Sequence, residues 1–191
     1  MQQILISGVG GQGVLTVTRL LAEAALAEGR HVLISETHGM AQRGGNVISH
    51  LKVGATGGGN AAENTPVNDA AVPYEFTSPL IRPGHADILL ALHPDGAAVH
   101  AHFLKKDGRL FCNQPDATGH YSIDAAHIAG ELGSPVSVNF VLLGFALGSG
   151  ELFCPAQVVE EALQRAAGAK RKMNLKAFHA GLQAALQKFP S

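Results

Sequence analysis

The stretch that most constrains the fold of this chain is a group of four glycines near its start, Gly8-Val9-Gly10-Gly11-Gln12-Gly13. Residues 3–7 before it read as a short strand, residues 14–27 after it carry apolar side chains at helical spacing, and residues 31–35 read as a second strand. A strand that turns through glycines into a helix, followed by another strand, is typical of a βαβ unit. The sequence therefore predicts a glycine turn at the carboxyl end of the first strand.

A second glycine-bearing segment follows the second strand, with the sequence Glu36-Thr37-His38-Gly39-Met40-Ala41-Gln42-Arg43-Gly44-Gly45. Because the carboxyl ends of parallel strands lie at one edge of a sheet, this segment and the glycine turn are predicted to face one crevice. His38 would bring a titratable ring to the mouth of that crevice, and Arg43 a fixed cation. We therefore expect a ligand or a partner there, with a glycine-bent loop and a solvated arginine as the alternative.

The rest of the chain predicts an α/β fold, a Rossmann-like three-layer α/β/α arrangement with a mostly parallel sheet and a single domain over residues 1–191. The chain has 191 residues, 46% of them hydrophobic, which is enough for one sizeable core. Residues 46–53 alternate in polarity and predict a third strand that returns along the sheet. Residues 54–73 are rich in Gly, Ala, Asn and Pro and predict a flexible loop, which is either an idle surface insertion or a lid or docking loop.

The charge pattern argues against nucleic-acid and membrane partners. The formal net charge is −1 and only 15% of residues are charged, whereas attraction to phosphates needs concentrated Lys and Arg. No signal-peptide pattern opens the chain. The apolar residues 132–150 are interrupted by Pro, Asn and Gly, so they predict a buried helix rather than a membrane span. We expect a cytoplasmic protein.

The cysteine and histidine patterns predict no metal site. Cys112 and Cys154 stand far apart without further ligands at metal-binding spacing, so neither an iron–sulfur cluster nor a structural zinc is expected in this chain. In a reducing compartment they predict two packed thiols. His100 and His102 are two residues apart, which places them on different faces of a helix.

The candidate contacts at the crevice admit more than one ligand. Backbone N–H groups at the positive end of a helix dipole suit a phosphate, a carboxylate or a partner's carbonyl, and we expect those of residues 10–13 to form a positive rim with Arg43. Asn139, the polar exception in the apolar residues 137–147, either joins two backbone segments or contacts the crevice. The candidate contacts are Gly8, Gly10, Gly11, Gln12, Gly13 and Glu36 around the turn, and His38, Gly39, Met40, Arg43, Gly44, Gly45 and Asn139 at the mouth.

The glycine turn together with His38-Gly39-Met40-Ala41-Gln42-Arg43-Gly44-Gly45 resembles the gamma-type subunits of 2-oxoacid:ferredoxin oxidoreductases, most closely those of the indolepyruvate group. The likeness extends over nearly the whole chain. The string from His38 to Gly45 is its specific part, because a glycine fingerprint alone occurs in many unrelated folds.

This resemblance implies a non-catalytic small subunit of an enzyme that converts a 2-oxoacid, such as indolepyruvate or a related aryl pyruvate, to the acyl-CoA. Such chemistry uses thiamine diphosphate and an electron path, and the sequence offers neither a GDG-type motif nor cluster cysteines. The resemblance therefore places thiamine diphosphate, Mg²⁺ and 4Fe-4S clusters on a larger partner subunit, with coenzyme A as co-substrate and ferredoxin as electron acceptor. No catalytic residue is expected in this chain.

Two alternatives remain open on the residues alone. One is a self-sufficient NAD(P)-dependent oxidoreductase, in which Gly8, Gly10 and Gly13 hold the dinucleotide and Glu36 binds its ribose. The other is a stand-alone nucleotide sensor.

Overall fold

The computed structural model describes residues 1–36, 45–56, 77–115, 121–165 and 170–190, and these residues form six strands and six α-helices. In chain order they are β1 (Gln2–Val9), α1 (Val14–Ala27), β2 (Arg30–Glu36), β3 (Asn46–Thr56), β4 (Ala86–Ala91), α2 (Pro94–His100), β5 (Leu104–Asn113), β6 (Ser122–Ile123), α3 (Ala125–Glu131), α4 (Val138–Gly148), α5 (Ala156–Arg165) and α6 (Arg171–Lys188).

The six strands form one sheet in the order β2-β3-β1-β4-β5-β6. The pairs β1–β4, β4–β5 and β5–β6 are parallel, whereas β3 is antiparallel to both of its neighbours. The prediction of an α/β fold with a mostly parallel sheet is confirmed, and β3 is the strand that makes the sheet mixed.

The third strand returns along the sheet as expected and is longer than predicted. It continues through Thr56, so residues 54–56 belong to β3 and not to the predicted loop. The rest of that predicted loop, residues 57–73, lies outside the described residues.

The insertion of β3 changes the predicted βαβ unit. Because β1 and β2 are both antiparallel to β3, they run in the same direction and their carboxyl ends lie at the same edge of the sheet. They are not neighbours, however, since β3 separates them. Residues that follow β1 and β2 therefore share an edge, which we call the carboxyl edge, but stand two strand spacings apart, about 10 Å.

The two faces of the sheet are covered unequally. On the first face, Ile4 and Ile6 of β1 join a large core built with α1, α3, α4, α5 and α6. On the second face, Leu5 belongs to a much smaller cluster with Ile81, Ala86 and Leu89, and α2 packs there against β1, β4 and β5. The layers are thus α/β/α, with most of the helical mass on one side.

Helix α4 is the buried helix that the apolar run predicted. All residues from Asn139 to Leu147 are buried, and α4 packs against α6 more extensively than any other pair of described elements. Among the described residues, no helix combines the length and apolar character required to cross a bilayer.

Glycines allow α4 and α6 to approach backbone to backbone. A Cβ atom on Gly181 would overlap the carbonyl oxygen of Val141, and one on Gly144 would overlap the carbonyl oxygen of Phe178. Backbone atoms cannot rotate aside as a side chain does, so relief of either overlap would require the helices to move apart.

We expect Gly181→Ala to lower the free energy of unfolding by about 2–3 kcal/mol, because overpacking against a fixed backbone outweighs the gain in helix propensity. Urea unfolding followed by circular dichroism measures the change. The matched control is Gly130→Ala in α3, where a Cβ meets nothing within 4 Å; this change should stabilise the protein by about 0.5–1 kcal/mol. Equal effects of the two substitutions would contradict the close contact between α4 and α6.

Candidate functional site

The glycine turn joins the carboxyl end of β1 to α1, and two of its glycines adopt backbone conformations that other residues rarely adopt. The amide of Gln12 donates to the carbonyl of Val9 at 3.0 Å, which closes a tight turn. Gly11 has φ +97° and Gly13, the residue before α1, has φ +80°, both in the left-handed region that other residues adopt at a cost. The predicted turn is therefore confirmed, and glycine at positions 11 and 13 allows it to form without backbone strain.

Two of the turn amides that we expected at an open rim are engaged within the protein. The amide of Gly10 donates to the carbonyl of Gly45 at 2.9 Å, and that of Gln12 is used in the turn itself. The Gln12 side chain also faces inward, because its Oε1 accepts the amide of Val9 at 2.7 Å. The prediction that the N–H groups of residues 10–13 form an open positive rim is therefore wrong for Gly10 and Gln12, because their N–H groups donate within the protein.

The amides left for a ligand lie at Gly11 and at the start of α1. The first backbone hydrogen bond into this helix runs from Val17 to the carbonyl of Gly13 at 3.1 Å. As at any helix start, the amides of residues 14–16 have no partner within the helix. They lie at the positive end of the dipole of a 14-residue helix. This arrangement suits an anion or a carbonyl oxygen.

Asn139 lies directly over this helix start. Its amide nitrogen occupies the space that a Cβ atom on Gly13 would need. The side chain is only 4% exposed, and its Oδ1 has no hydrogen-bond partner among the described residues. Asn139 is also in the first turn of α4, so the amino ends of α1 and α4 converge here. The structure therefore brings Asn139 and Gly13 together, as the crevice interpretation requires.

Glu36 and Gly45 confirm the shared edge and also show its limits. Gly45 meets the glycine turn through its hydrogen bond with Gly10. Glu36 ends β2 and pairs in register with Ser49 of β3, so the width of β3 separates it from β1. His38, Gly39, Met40, Arg43 and Gly44 lie outside the described residues, and their roles stay predictions.

One residue that holds this edge together was not among the sequence-based candidates. Asn113 ends β5, and its side chain donates to the carbonyl of Leu92 at 3.1 Å and accepts the amide of Ala126 at 3.1 Å. It thereby ties β4, β5 and the start of α3. The available signal was its position as a polar residue that follows a buried strand.

The thiol predictions are confirmed. Cys112 and Cys154 are both buried and unpaired. Burial raises the pKa of the Cys154 thiol to about 12 and also raises the pKa of Cys112, so both are neutral and unreactive at neutral pH. Within the described parts of the chain, no three His, Cys, Asp or Glu side chains are grouped so that they could hold a metal ion.

A family model and a curated relative both match nearly the whole chain. Residues 3–184 match the family model described as pyruvate ferredoxin/flavodoxin oxidoreductase. Indolepyruvate oxidoreductase subunit IorB of Archaeoglobus fulgidus is 31% identical over 215 aligned residues, which cover 98% of this chain and 97% of that protein.

Solved structures share the fold. The gamma subunit of a keto/oxoacid ferredoxin oxidoreductase from Geobacter sulfurreducens superposes with a TM-score of 0.69 at 24% identity, covering 98% of this chain and 99% of that one. The 2-oxoglutarate:ferredoxin oxidoreductase of Magnetococcus marinus, solved with 2-oxoglutarate, coenzyme A and succinyl-CoA bound, also gives 0.69, at 17% identity, with 97% of this chain aligned to 31% of that one.

Alanine substitutions at two glycines of positive φ measure how closely the Asn139 side chain lies over position 13. We expect Gly11→Ala to lower the free energy of unfolding by about 1–2 kcal/mol, the cost of the backbone conformation alone. Gly13→Ala should cost more, because its Cβ must also displace the Asn139 amide, whereas a Cβ on Gly11 meets nothing within 4 Å. Urea unfolding of both variants measures the difference.

The double variant Gly13→Ala/Asn139→Ala isolates the steric part. Its loss of stability should be smaller than the sum of the two single losses, because truncation of Asn139 vacates the space that the new methyl group at position 13 needs. Strict additivity would show that Asn139 does not lie over Gly13.

Proposed function

We propose that this chain binds an anionic group of coenzyme A at the amino end of α1. The chain belongs to the pyruvate ferredoxin/flavodoxin oxidoreductase family, as the small subunit of a 2-oxoacid:ferredoxin oxidoreductase. In this proposal a larger subunit carries thiamine diphosphate, Mg²⁺ and the 4Fe-4S clusters, and ferredoxin accepts the electrons. Indolepyruvate or a related aryl pyruvate is the proposed 2-oxoacid, since the A. fulgidus relative is an indolepyruvate oxidoreductase subunit.

The observation that carries the binding proposal is the unpartnered amide oxygen of Asn139 over Gly13. A buried polar group without a hydrogen bond costs about 1–3 kcal/mol. An anion cannot donate to an amide oxygen, so an anionic ligand relieves this cost only when the Asn139 amide rotates and its NH₂ group takes the place of the unpartnered oxygen. A phosphate oxygen would accept hydrogen bonds from the α1 amides, and rotation of the Asn139 amide would present its NH₂ group to the same anion. The donor set at this site therefore fits a phosphate of coenzyme A.

The described residues do not fit the redox cofactors themselves. Both thiols are buried and neutral, and they stand apart from any cluster of further ligands in the described chain. The residues of this chain would accordingly bind and orient the acyl acceptor and close one side of the site, while proton and electron transfer take place on groups of the partner. Coenzyme A supplies the thiol that receives the acyl group.

The NAD(P) alternative is not supported. In a dinucleotide site the ribose is bound by an acid at the end of the strand next to β1. Here β3 occupies that place, and Glu36 lies one strand farther away. The GxGxxG spacing is present, but the strand order does not bring its acidic partner beside it.

The first experiment is anaerobic affinity purification of the tagged chain from its native cells, followed by mass spectrometry and assays of thiamine and iron. We expect a larger chain in stoichiometric amount that carries both. A chain that elutes alone and binds NAD(H) would overturn the assignment of cofactors to a partner.

Asn139→Asp tests the anion site in the assembled enzyme. We expect the KM for coenzyme A to rise about tenfold or more, because a carboxylate at this position repels the phosphate, at a cost of about 1.4 kcal/mol per tenfold. The KM for the 2-oxoacid and recovery of the partner should not change. An acidic residue at two helix starts is compatible with their dipoles, so the variant should fold.

The matched control is Asn174→Asp in α6, which makes the same chemical change on a helix that supplies no residue of the proposed site. It should leave both KM values unaltered. If Asn139→Asp also left the KM for coenzyme A unaltered, the proposed site would be wrong even where the purified complex has the expected composition.

A further inference from the structure

A group of aromatic rings lies on the second face of the sheet, away from the glycine turn and Asn139. Its centre is Phe103, which contacts the rings of three histidines. The ring centroids of His50, His100 and His102 lie 5.7, 6.3 and 4.4 Å from that of Phe103. His50 projects from β3 and is 5% exposed. The function proposed above leaves this group unassigned.

His50 accepts a hydrogen bond that only one of its protonation states allows. The backbone amide of Ile81 donates to His50 Nδ1 at 3.1 Å, in a buried position. Nδ1 must therefore carry a lone pair, and the ring is neutral with its proton on Nε2. A second proton on the ring would set two N–H donors against each other.

Ile81 is the residue through which residues 77–85, which we call the strap, reach the core of the second face. Its side chain is 2% exposed and packs in the small cluster with Leu5, Ala86 and Leu89. Farther along the strap, the amide of Gly84 donates to the carbonyl of His102 at 3.0 Å. Loss of the Ile81 hydrogen bond would leave a buried amide without an acceptor, which favours departure of the strap from the sheet.

The described groups around His50 all oppose a positive charge on it. Lys52 lies two residues away on the same face of β3, and His100 approaches from α2. The neighbouring strands place uncharged Leu5 and Ser35 opposite His50. Burial first, then His100 and Lys52, lower the pKa of His50 below its ordinary value.

We propose that the hydrogen bond between His50 and Ile81 is an acid-sensitive latch, which holds the strap against the second face of the sheet while His50 is neutral and releases it when His50 is protonated. Release uncovers the apolar cluster around Leu5 and Leu89. The latch involves no residue of the glycine turn, so it stands independently of coenzyme A binding.

His100 belongs to the same group but does not act in the same way. Its Nδ1 lies 3.1 Å from the carbonyl oxygen of Gly96, which can only accept, so a hydrogen bond between these two atoms requires the tautomer with its proton on Nδ1. The Ser7 hydroxyl lies 2.7 Å from the same nitrogen. A second proton at Nε2 would break neither contact. Protonation of His100 therefore affects the latch only by repelling charge on His50.

The direction of the pH dependence follows from the lowered pKa of His50. The latched state binds fewer protons than the released state, in which the pKa of His50 returns toward about 6.5. The latch is therefore at full strength above about pH 6.5 and weakens as the pH falls below that value.

Hydrogen–deuterium exchange of the full chain between about pH 8 and pH 5.5, read by mass spectrometry on the peptide that covers the strap, tests the latch. After correction for the intrinsic pH dependence of exchange, protection of the strap should be constant above about pH 6.5 and then fall, approaching tenfold per pH unit for one coupled proton. A peptide from α4 should show no such fall over the same range.

Two variants assign the effect. In His50→Asn the amide oxygen still accepts from Ile81 but does not titrate, so protection should become independent of pH. In His102→Asn, which removes an exposed histidine from the same group, the fall should persist. Protection of the strap that stays constant with pH in the unmodified protein would overturn the proposal. A fall in protection that persists unchanged in His50→Asn would also overturn it.

Discussion

The antiparallel pairing of β3 with both β1 and β2 is the constraint on which the arrangement of this protein depends. It keeps β1 and β2 in the same direction, so that the segments after them reach the carboxyl edge. It also sets Gly45 against Gly10, which fixes the glycine turn from outside. The same strand holds Glu36 away from β1. The chain therefore has the glycine spacing of a dinucleotide-binding turn but, in its described residues, lacks an acidic residue at the end of the strand next to β1.

The proposed anion site and the His50–Ile81 hydrogen bond lie on different faces of the sheet. On the first face a thick helical layer buries α4, and its first turn carries Asn139 to the amino end of α1. The glycine contact between α4 and α6 allows that layer to pack closely. On the second face the described cover includes α2 and the strap, and hydrogen bonds such as that between Ile81 and His50 hold the strap in place.

The two faces meet at Ser7. Its carbonyl accepts the amide of Leu92 at 2.8 Å, and its hydroxyl contacts His100 of α2 at 2.7 Å. Gly96 of α2 packs so closely that a Cβ there would lie 2.6 Å from the Ser7 hydroxyl oxygen. The residue before the glycine turn is thus clamped from the second face, which gives the turn a rigid base on the side opposite to Asn139.

Local spacing in the sequence was sufficient to predict the glycine turn, the bounds of α1 at Val14–Ala27, the burial of the α4 region and the two packed thiols. Each of these follows from contacts that repeat with the period of a helix or strand, or from composition. Only the tertiary structure decided that the amides of Gly10 and Gln12 are consumed within the turn, that Asn139 lies over Gly13, and that β3 separates Glu36 from β1. These depend on hydrogen bonds and strand order between segments distant in the chain, which no local pattern specifies.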